Sequence, residues 1–461
     1  MSDSIAAQKL SASFKDPDGF LFKSNNILYR QINTSYKDNY DCLISSGLYE
    51  NLAQNNLLIS HDEEQIPSFN PEILYKIIRP EIINFISYPY EWCFSQLKDA
   101  ALLTLKIQKE SLGKGMSLKD CSAFNVQFKN GKPIFIDSLS FEKYKKGQPW
   151  VAYRQFCQHF LAPLALMSYT DVRLNSLFKQ FIDGVPLDLA AKLLPFKTRF
   201  NFSLLTHIYL HADAQKHFSI KSKKQSNSQV SDFSLLGIID SLESSIKSLK
   251  LKTNRSHWTD YYSETNYSPE AFKQKKKVVT RYLEKSNSKM IWDLGANTGV
   301  FSEIASQDKR EVVSFEVDPI VVEKNYNDCK KDKKENILPL LMDLTNPSSA
   351  IGFQSNERLS LIERGPADTA LALALIHHLA ISNNLPFDRI AQFLSEICDT
   401  LIIEFIPKTD SQVQRLLQSR KDIFINYNQN TFEKEFKKFF TVGNTQQISE
   451  SQRILYLMHK K

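Results

Sequence analysis

Three carboxylates, each at the end of a short apolar run, are the groups in this sequence whose type and spacing best suit ligand binding. Asp293 closes Met290-Ile291-Trp292, Glu316 closes Glu311–Phe315, and Asp343 closes Ile337–Met342. After the first run comes Gly295-Ala296-Asn297-Thr298-Gly299, then an apolar helical start at Val300 and Phe301. Glycine serves where backbone must approach a ligand or adopt positive φ. A helix beginning there offers free N–H groups and the positive end of its dipole. A carboxylate at the first strand end can take an ammonium or a hydroxyl, and one about 20 residues past a glycine turn is placed to hold a ribose diol. The elements that position all three are successive strands whose carboxyl ends share one edge of a doubly wound sheet.

The stretches DLGANTGVFS, FEVDP and LMDLT resemble the motifs of class I S-adenosylmethionine-dependent methyltransferases. The resemblance implies a Rossmann-like seven-stranded sheet, S-adenosyl-L-methionine as cofactor, and cofactor contacts from Asp293, Gly295, Asn297, Gly299, Glu316 and Asp343. It is specific about the cofactor and silent about the methyl acceptor. Asn297 stands at the middle position of the commoner Gly-x-Gly-x-Gly form. Asparagine visits left-handed φ more readily than most residues, so the turn survives the change. A nicotinamide dinucleotide fingerprint wants glycine there, under the pyrophosphate, and Asn297 argues against it. LALALIHHLAISNN, further on, is similar to bacterial methyltransferases associated with nodulation.

A fourth strand is predicted over Asp368–Ile376, followed by His377 and His378. The resembled fold places acceptor-side residues there, which makes the two histidines candidate catalytic bases. The residues alone equally allow one histidine to pack inward and the other to bond backbone. Glu404, inside a predicted fifth strand over Thr400–Phe405, is the next candidate base. Displacement at a sulfonium carbon releases a neutral leaving group, so no metal is expected; the protein must align the reactants and remove a proton. No Asn-Pro-Pro-Tyr or Pro-Cys motif appears, which weakens adenine-N6, glutamine-amide and cytosine-C5 acceptors.

A second constellation lies in LKDCSAFNVQFKNGKPIFIDSLSF, Leu118 to Phe141. Two short strands flank Asn130-Gly131, a good hairpin turn. Asp120 precedes them, Asn125 stands at the edge of the first and Asp137 ends the second. With a strong helix predicted over Leu97–Ile107, this spacing resembles the catalytic loop and metal-binding Asp of protein-kinase-like and aminoglycoside-phosphotransferase-like folds. The resemblance implies a nucleotide and magnesium site at Asp120, Asn125 and Asp137. The departures are the missing glycine-rich loop, Leu118 in place of histidine, and Ser138-Leu139 in place of Phe-Gly; Lys23 or Arg30 would have to stand in for the phosphate-binding lysine. Capping of a turn by Asp120 and Asn125 explains the same residues without a ligand.

The remaining elements follow from pattern. Gly19–Ile32 reads as a hairpin about Ser24-Asn25-Asn26, Tyr36–Leu58 as helix, and Leu235–Leu251 as an amphipathic helix. Ser268-Pro269-Glu270 is a helix start, and Tyr261, Tyr262 and Tyr267 are aromatic groups able to close over the cofactor. His207 and His211 share one helical face near His217, but no Glu or Cys joins them at zinc-ligand spacing, so packing is the simpler reading. Six separated cysteines without a Cys-x-x-Cys pair, and an N-terminus without an apolar core, point to a reduced cytoplasmic protein. A net charge of +7 is modest for 461 residues, and the clusters Lys275–Lys277 and Lys330–Lys334 read as solvated faces. Neither a membrane nor nucleic acid is expected as a partner.

The expected organisation is α/β. An α+β, kinase-like N-terminal domain over 1–215 presents the acceptor, a linker and connecting helix cover 216–256, and the methyltransferase domain covers 257–461. The function expected is methyl transfer to an unidentified small molecule, glycan or protein. The alternative is a kinase-like nucleotide-binding module with a methyltransferase-like sensor domain.

Overall fold

The computed structural model describes residues 8–213, 230–252, 267–418 and 420–461. Residues 216–229 of the expected linker, His217, His257, Tyr261 and Tyr262 lie outside the described residues. The chain forms two compact units, one of residues 1–252 with 351–358, the other of 253–350 with 359–461.

The first unit opens with an antiparallel sheet of five strands. Their spatial order is Gln8–Lys9, Gly19–Ser24, Ile27–Asn33, Leu74–Pro80 and His61–Glu64. The expected hairpin turns on Asn25 and Asn26, both at positive φ, with Ser24 opposite Ile27. That is the geometry a two-residue hairpin loop demands. The helix expected over Tyr36–Leu58 is instead two, Lys37–Ser45 and Leu48–Gln54. Gly47, at φ +71°, separates them, a conformation that continues neither helix. The helix expected at Leu97–Ile107 runs from Phe94 to Gly113 and buries Leu97, Ala100, Ala101, Leu105 and Ile107. Helix Asp232–Ser248 packs against it, and the Lys98 ammonium donates to the carbonyls of Lys247 and Leu249. The second hairpin, Val126–Lys129 with Lys132–Phe135, turns on Asn130 and Gly131 as expected.

The second unit is a seven-stranded sheet. Its strands are β1 (Met290–Leu294), β2 (Glu311–Glu316), β3 (Ile337–Leu341), β4 (Ala367–Ala372), β5 (Cys398–Phe405), β6 (Phe440–Gln447) and β7 (Ile454–Lys460). Their order is β3-β2-β1-β4-β5-β7-β6, and only β7 runs against its neighbours. The helices are α1 (Pro269–Ser286), α2 (Val300–Ala305), α3 (Pro319–Asp332), α4 (Phe387–Ile397), α5 (Ser411–Gln418) and α6 (Gln429–Phe436). α1 starts where Ser268 accepts a hydrogen bond from the Ala271 N–H, with Pro269 at the first helical position.

One core cluster holds the site's scaffold. Ile291, Val312, Leu371, Ile402 and Leu457 come from five strands and pack with Val278, Val279, Tyr282 and Leu283 of α1. Each such aliphatic side chain stabilises the fold by about 1.5–3 kcal/mol on burial. Strand order reverses between β1 and β4, so a crevice opens at their carboxyl ends, where doubly wound sheets bind ligands. β4 ends at Ala372 rather than at Ile376. Ala374 adopts φ +51° and its N–H turns to the Glu404 carboxylate at 2.8 Å, which takes the chain out of the sheet. Among the described residues no helix is long and apolar enough to cross a membrane.

Candidate functional site

The turn after β1 places three residues at positive φ: Gly295 at +75°, Asn297 at +50° and Gly299 at +85°. Asn297 thus holds the left-handed conformation expected of it. A Cβ on Gly299 would lie 2.6 Å from the Asn325 amide oxygen, so this position is closed to side chains. The Gly295 and Ala296 N–H groups both donate to the Phe315 carbonyl at 2.9 Å, which ties the turn to the end of β2.

Glu316 completes that tie. One carboxylate oxygen accepts the Asn297 N–H at 2.9 Å, and the other accepts the N–H groups of Val317 and Asp318. Burial raises its carboxyl above the ordinary value, against the pull of these backbone donors. Asp293 is buried and accepts the Ser302 hydroxyl at 2.6 Å. Burial pushes its carboxyl up to about 6 and the nearby Glu316 charge adds to that; the Ser302 hydrogen bond and the Lys275 charge oppose it. Asp343 is exposed and accepts the Thr345 N–H and hydroxyl at 2.9 and 2.7 Å.

Asp293, Gly295, Asn297, Glu316 and Asp343 line one cavity of about 670 Å³, together with His377 and His378. That volume lies within the range of small-molecule and cofactor pockets. Gly299 shapes the turn from behind the lining. His377 is 2 % exposed, and its Nδ1 finds no hydrogen-bond partner among the described residues. The two imidazole rings lie 4.1 Å apart. Burial drives His377 well below the ordinary histidine value, with the His378 charge second, and burial takes His378 down to about 4. Both rings are therefore neutral near pH 7.

A buried ion pair stands at the wall of this cavity, Lys275 lining it. The Lys275 ammonium lies 2.7 Å from the Glu404 carboxylate, with the side chains 3 % and 0 % exposed. The Tyr267 hydroxyl donates to the other Glu404 oxygen, and Arg453 stands 4.0 Å away while bonding Asp410. Burial works to raise the Glu404 carboxyl, but Lys275 and Arg453 outweigh it and hold it below the ordinary value. Glu404 is thus buried and held as the counter-ion of Lys275, with its pull on protons lowered, which corrects its reading as a reserve base. Lys275 is not part of a solvated face, because it takes an inward position of α1 beside Ala271, Val278 and Val279. Tyr267 also lines the cavity, bound to Glu404.

In the first unit the expected nucleotide residues have protein partners. Asp137 accepts hydrogen bonds from Arg30, from the Ser140 hydroxyl at 2.6 Å and from the Leu139 N–H at 3.0 Å. Arg30 also bridges to Asp16 at 2.7 Å. Asn125 donates to the same Ser140 hydroxyl at 3.2 Å, so Asn125 and Asp137 meet through one serine. Asp120 bonds elsewhere, accepting the Ser122 N–H and the Gln155 amide at 2.9 and 2.8 Å. Among the described residues no group of His, Cys, Asp and Glu is arranged to hold a metal. His207 uses both ring nitrogens, with the Tyr153 and Ser241 hydroxyls, which is the packing role.

No protein-family profile matches the chain. It is 31% identical over 461 residues to nodulation protein NoeA of Rhizobium meliloti (strain 1021), an alignment covering 98% of this chain and 96% of that protein. Among solved structures it is similar to magnesium protoporphyrin IX methyltransferase (ChlM) from Synechocystis PCC 6803 with bound SAH. That likeness has 15% identity and a TM-score of 0.30 and covers 41% of this chain and 84% of that one. It is also similar to N-methyltransferase NodS from Bradyrhizobium japonicum WM9 in complex with S-adenosyl-L-homocysteine, at 12% identity and a TM-score of 0.32, covering 42% and 89%.

Proposed function

The chain belongs to the family of nodulation protein NoeA, and on that footing we propose that it transfers a methyl group from S-adenosyl-L-methionine to an acceptor bound in the second unit. The observation that carries this reading is the convergence of Asp293, Glu316 and Asp343, from three successive strand ends, on one cavity beside a positive-φ turn. The donor set fits the cofactor. Glu316 is an anchored carboxylate with acceptor capacity left for vicinal hydroxyls, since its two oxygens take three backbone N–H groups. Asp293 offers a buried carboxylate to an ammonium, and Asp343 an exposed one to the far end of a nucleoside.

Bound there, the cofactor supplies an electrophilic methyl group on a sulfonium, with a neutral thioether as leaving group. His377 is the residue we assign to the acceptor's proton. Its Nδ1, without a partner among the described residues, lies in the buried wall after β4, and the ring is neutral without prior deprotonation. A weak base of this kind suits a hydroxyl acceptor. Methylation of a hydroxyl oxygen builds positive charge on it, so the O–H becomes strongly acidic as the new C–O bond forms, and the proton can pass to a neutral imidazole. An ammonium acceptor must lose its proton before attack and would call for a stronger base.

The test is transfer of label from methyl-labelled cofactor into an extract of the cells that carry the protein, read by mass spectrometry. A mass gain of one methyl group on an acceptor, absent with Glu316→Ala, supports the reading. Failure of the wild-type protein to bind S-adenosyl-L-homocysteine refutes it.

A further inference from the structure

Two cationic side chains line the cavity among the described residues, Lys275 and Arg415. Lys275 already has its counter-ion, the Glu404 carboxylate. Arg415, on α5, has no ion-pair or hydrogen-bond partner among the described residues. An arginine that borders a cavity and carries no internal partner keeps its planar fork of donors for whatever enters.

The topology says which end of the cavity Arg415 serves. The carboxylates assigned to the cofactor end β1, β2 and β3, on one side of the point where strand order reverses. α5 follows β5, on the other side of that point, and contributes Gln412, Arg415 and Leu416 to the lining. His377 follows β4, the first strand of this second half, and its buried Nδ1 lacks a partner among the described residues. A molecule in the second half therefore meets a neutral proton acceptor at the reaction end and a free guanidinium at the α5 end.

We propose that Arg415 is a specificity-determining residue for an acceptor that carries an anionic group (carboxylate, phosphate or sulfate), bound in the β4–β5 half of the cavity. This rests on the methyl-transfer reading above and names the class of acceptor for the same site. A guanidinium pairs with all three oxyanions through two parallel N–H···O bonds, so the charge is the shared requirement.

The experiment uses the full chain, methyl-labelled S-adenosyl-L-methionine and an extract of the cells that carry the protein. Product is separated by anion exchange at pH 7. The label is expected in the retained fraction. Arg415→Gln should lower labelling at subsaturating extract by about tenfold or more, the loss of a charge-assisted pair. Arg415→Lys should recover part of it, and the affinity of both variants for S-adenosyl-L-homocysteine should stay at the wild-type value. Retention lost at pH 2 identifies a carboxylate, retention lost after phosphatase a phosphate monoester, and retention surviving both a sulfate or a phosphate diester. No label in the anionic fraction, or Arg415→Gln labelling as well as wild type, overturns the proposal. Loss of cofactor affinity in Arg415→Gln also overturns it, because Arg415 would then hold the cofactor's own carboxylate. If wild type itself fails to bind S-adenosyl-L-homocysteine, the methyl-transfer reading falls and this proposal falls with it; intact cofactor binding with unchanged labelling removes the anion site alone.

Discussion

Lys275 and Glu404 face each other at 2.7 Å in the interior of the second unit, α1 supplying the cation and β5 the anion. The same Glu404 oxygen accepts the Ala374 N–H that ends β4. The pair therefore fixes where the chain leaves the sheet, three residues before His377. A buried ion pair is weak evidence of net stability, since desolvation offsets much of the attraction, but losing one partner is costly.

Lys275→Met should destabilise the second unit by about 3–5 kcal/mol, because it leaves a buried carboxylate short of its counter-charge. The double variant Lys275→Met, Glu404→Leu should recover much of that loss. Urea unfolding of the three proteins checks both statements; equal losses in the single and double variants would contradict the argument.

Glu316→Ala should weaken S-adenosyl-L-homocysteine binding by about 1.5–3 kcal/mol, the range for hydrogen bonds to charged groups. It also removes the acceptor of the Asn297 N–H, so the turn should loosen as well. Calorimetry measures the first effect, and hydrogen exchange at Asn297 reads the second.

At Asn297 itself, φ +50° separates substitutions by backbone alone. Asn297→Gly should keep cofactor affinity, whereas Asn297→Ala should cost about 1–2 kcal/mol in stability, the penalty for a Cβ in the left-handed region. Thermal unfolding of the two variants side by side decides the point.

The histidine pair sets a pH dependence. In the unfolded chain each titrates near the ordinary value of about 6.5, while in the folded protein His378 titrates at about 4 and His377 lower still. Between those values the unfolded chain binds more protons, so stability rises with pH there. The contribution is complete above about pH 6.5 and is lost as pH falls, by up to about 3 kcal/mol for His378. His378→Asn should flatten that slope in unfolding curves taken from pH 4 to 7. If His377 takes the acceptor proton, its replacement should slow turnover by roughly 10²–10⁴-fold without changing cofactor affinity, and the wild-type rate should show no histidine inflection between pH 6 and 8.

Much of this architecture is legible in the residues. Asp293, Glu316 and Asp343 mark three strand ends because each follows an apolar run, and Gly295 and Gly299 mark the turn because glycine adopts those φ values without strain. What escaped is the chemistry hidden inside those elements. Lys275 sits in a run of three lysines and reads as surface, yet Ala271, Lys275, Val278 and Tyr282 recur at helical spacing. That periodicity places Lys275 on the apolar face, and Glu404 inside a buried strand is the partner such a lysine requires. The early end of β4 depends on a long-range bond from Ala374 to Glu404, and local pattern carries no sign of it. Gly47 was a readable stop signal inside the long helical stretch, since its φ of +71° breaks the helix. Arg30 gave no local sign of its role, because its Asp137 partner is distant in sequence.

That distance has a kinetic consequence. Arg30 belongs to the second strand of the opening hairpin, and its Asp137 partner lies 107 residues later. Its side chain is 11% exposed in the finished structure. Until the segment bearing Asp137 arrives, the sheet must carry a nearly buried guanidinium with only Asp16 to neutralise it. Closing so large a loop costs entropy before any contact repays it. The opening sheet of the first unit should therefore consolidate late, together with the second hairpin rather than ahead of it. During synthesis, a chain arrested short of Asp137 should show this sheet as protease-sensitive, and one released just beyond it should not.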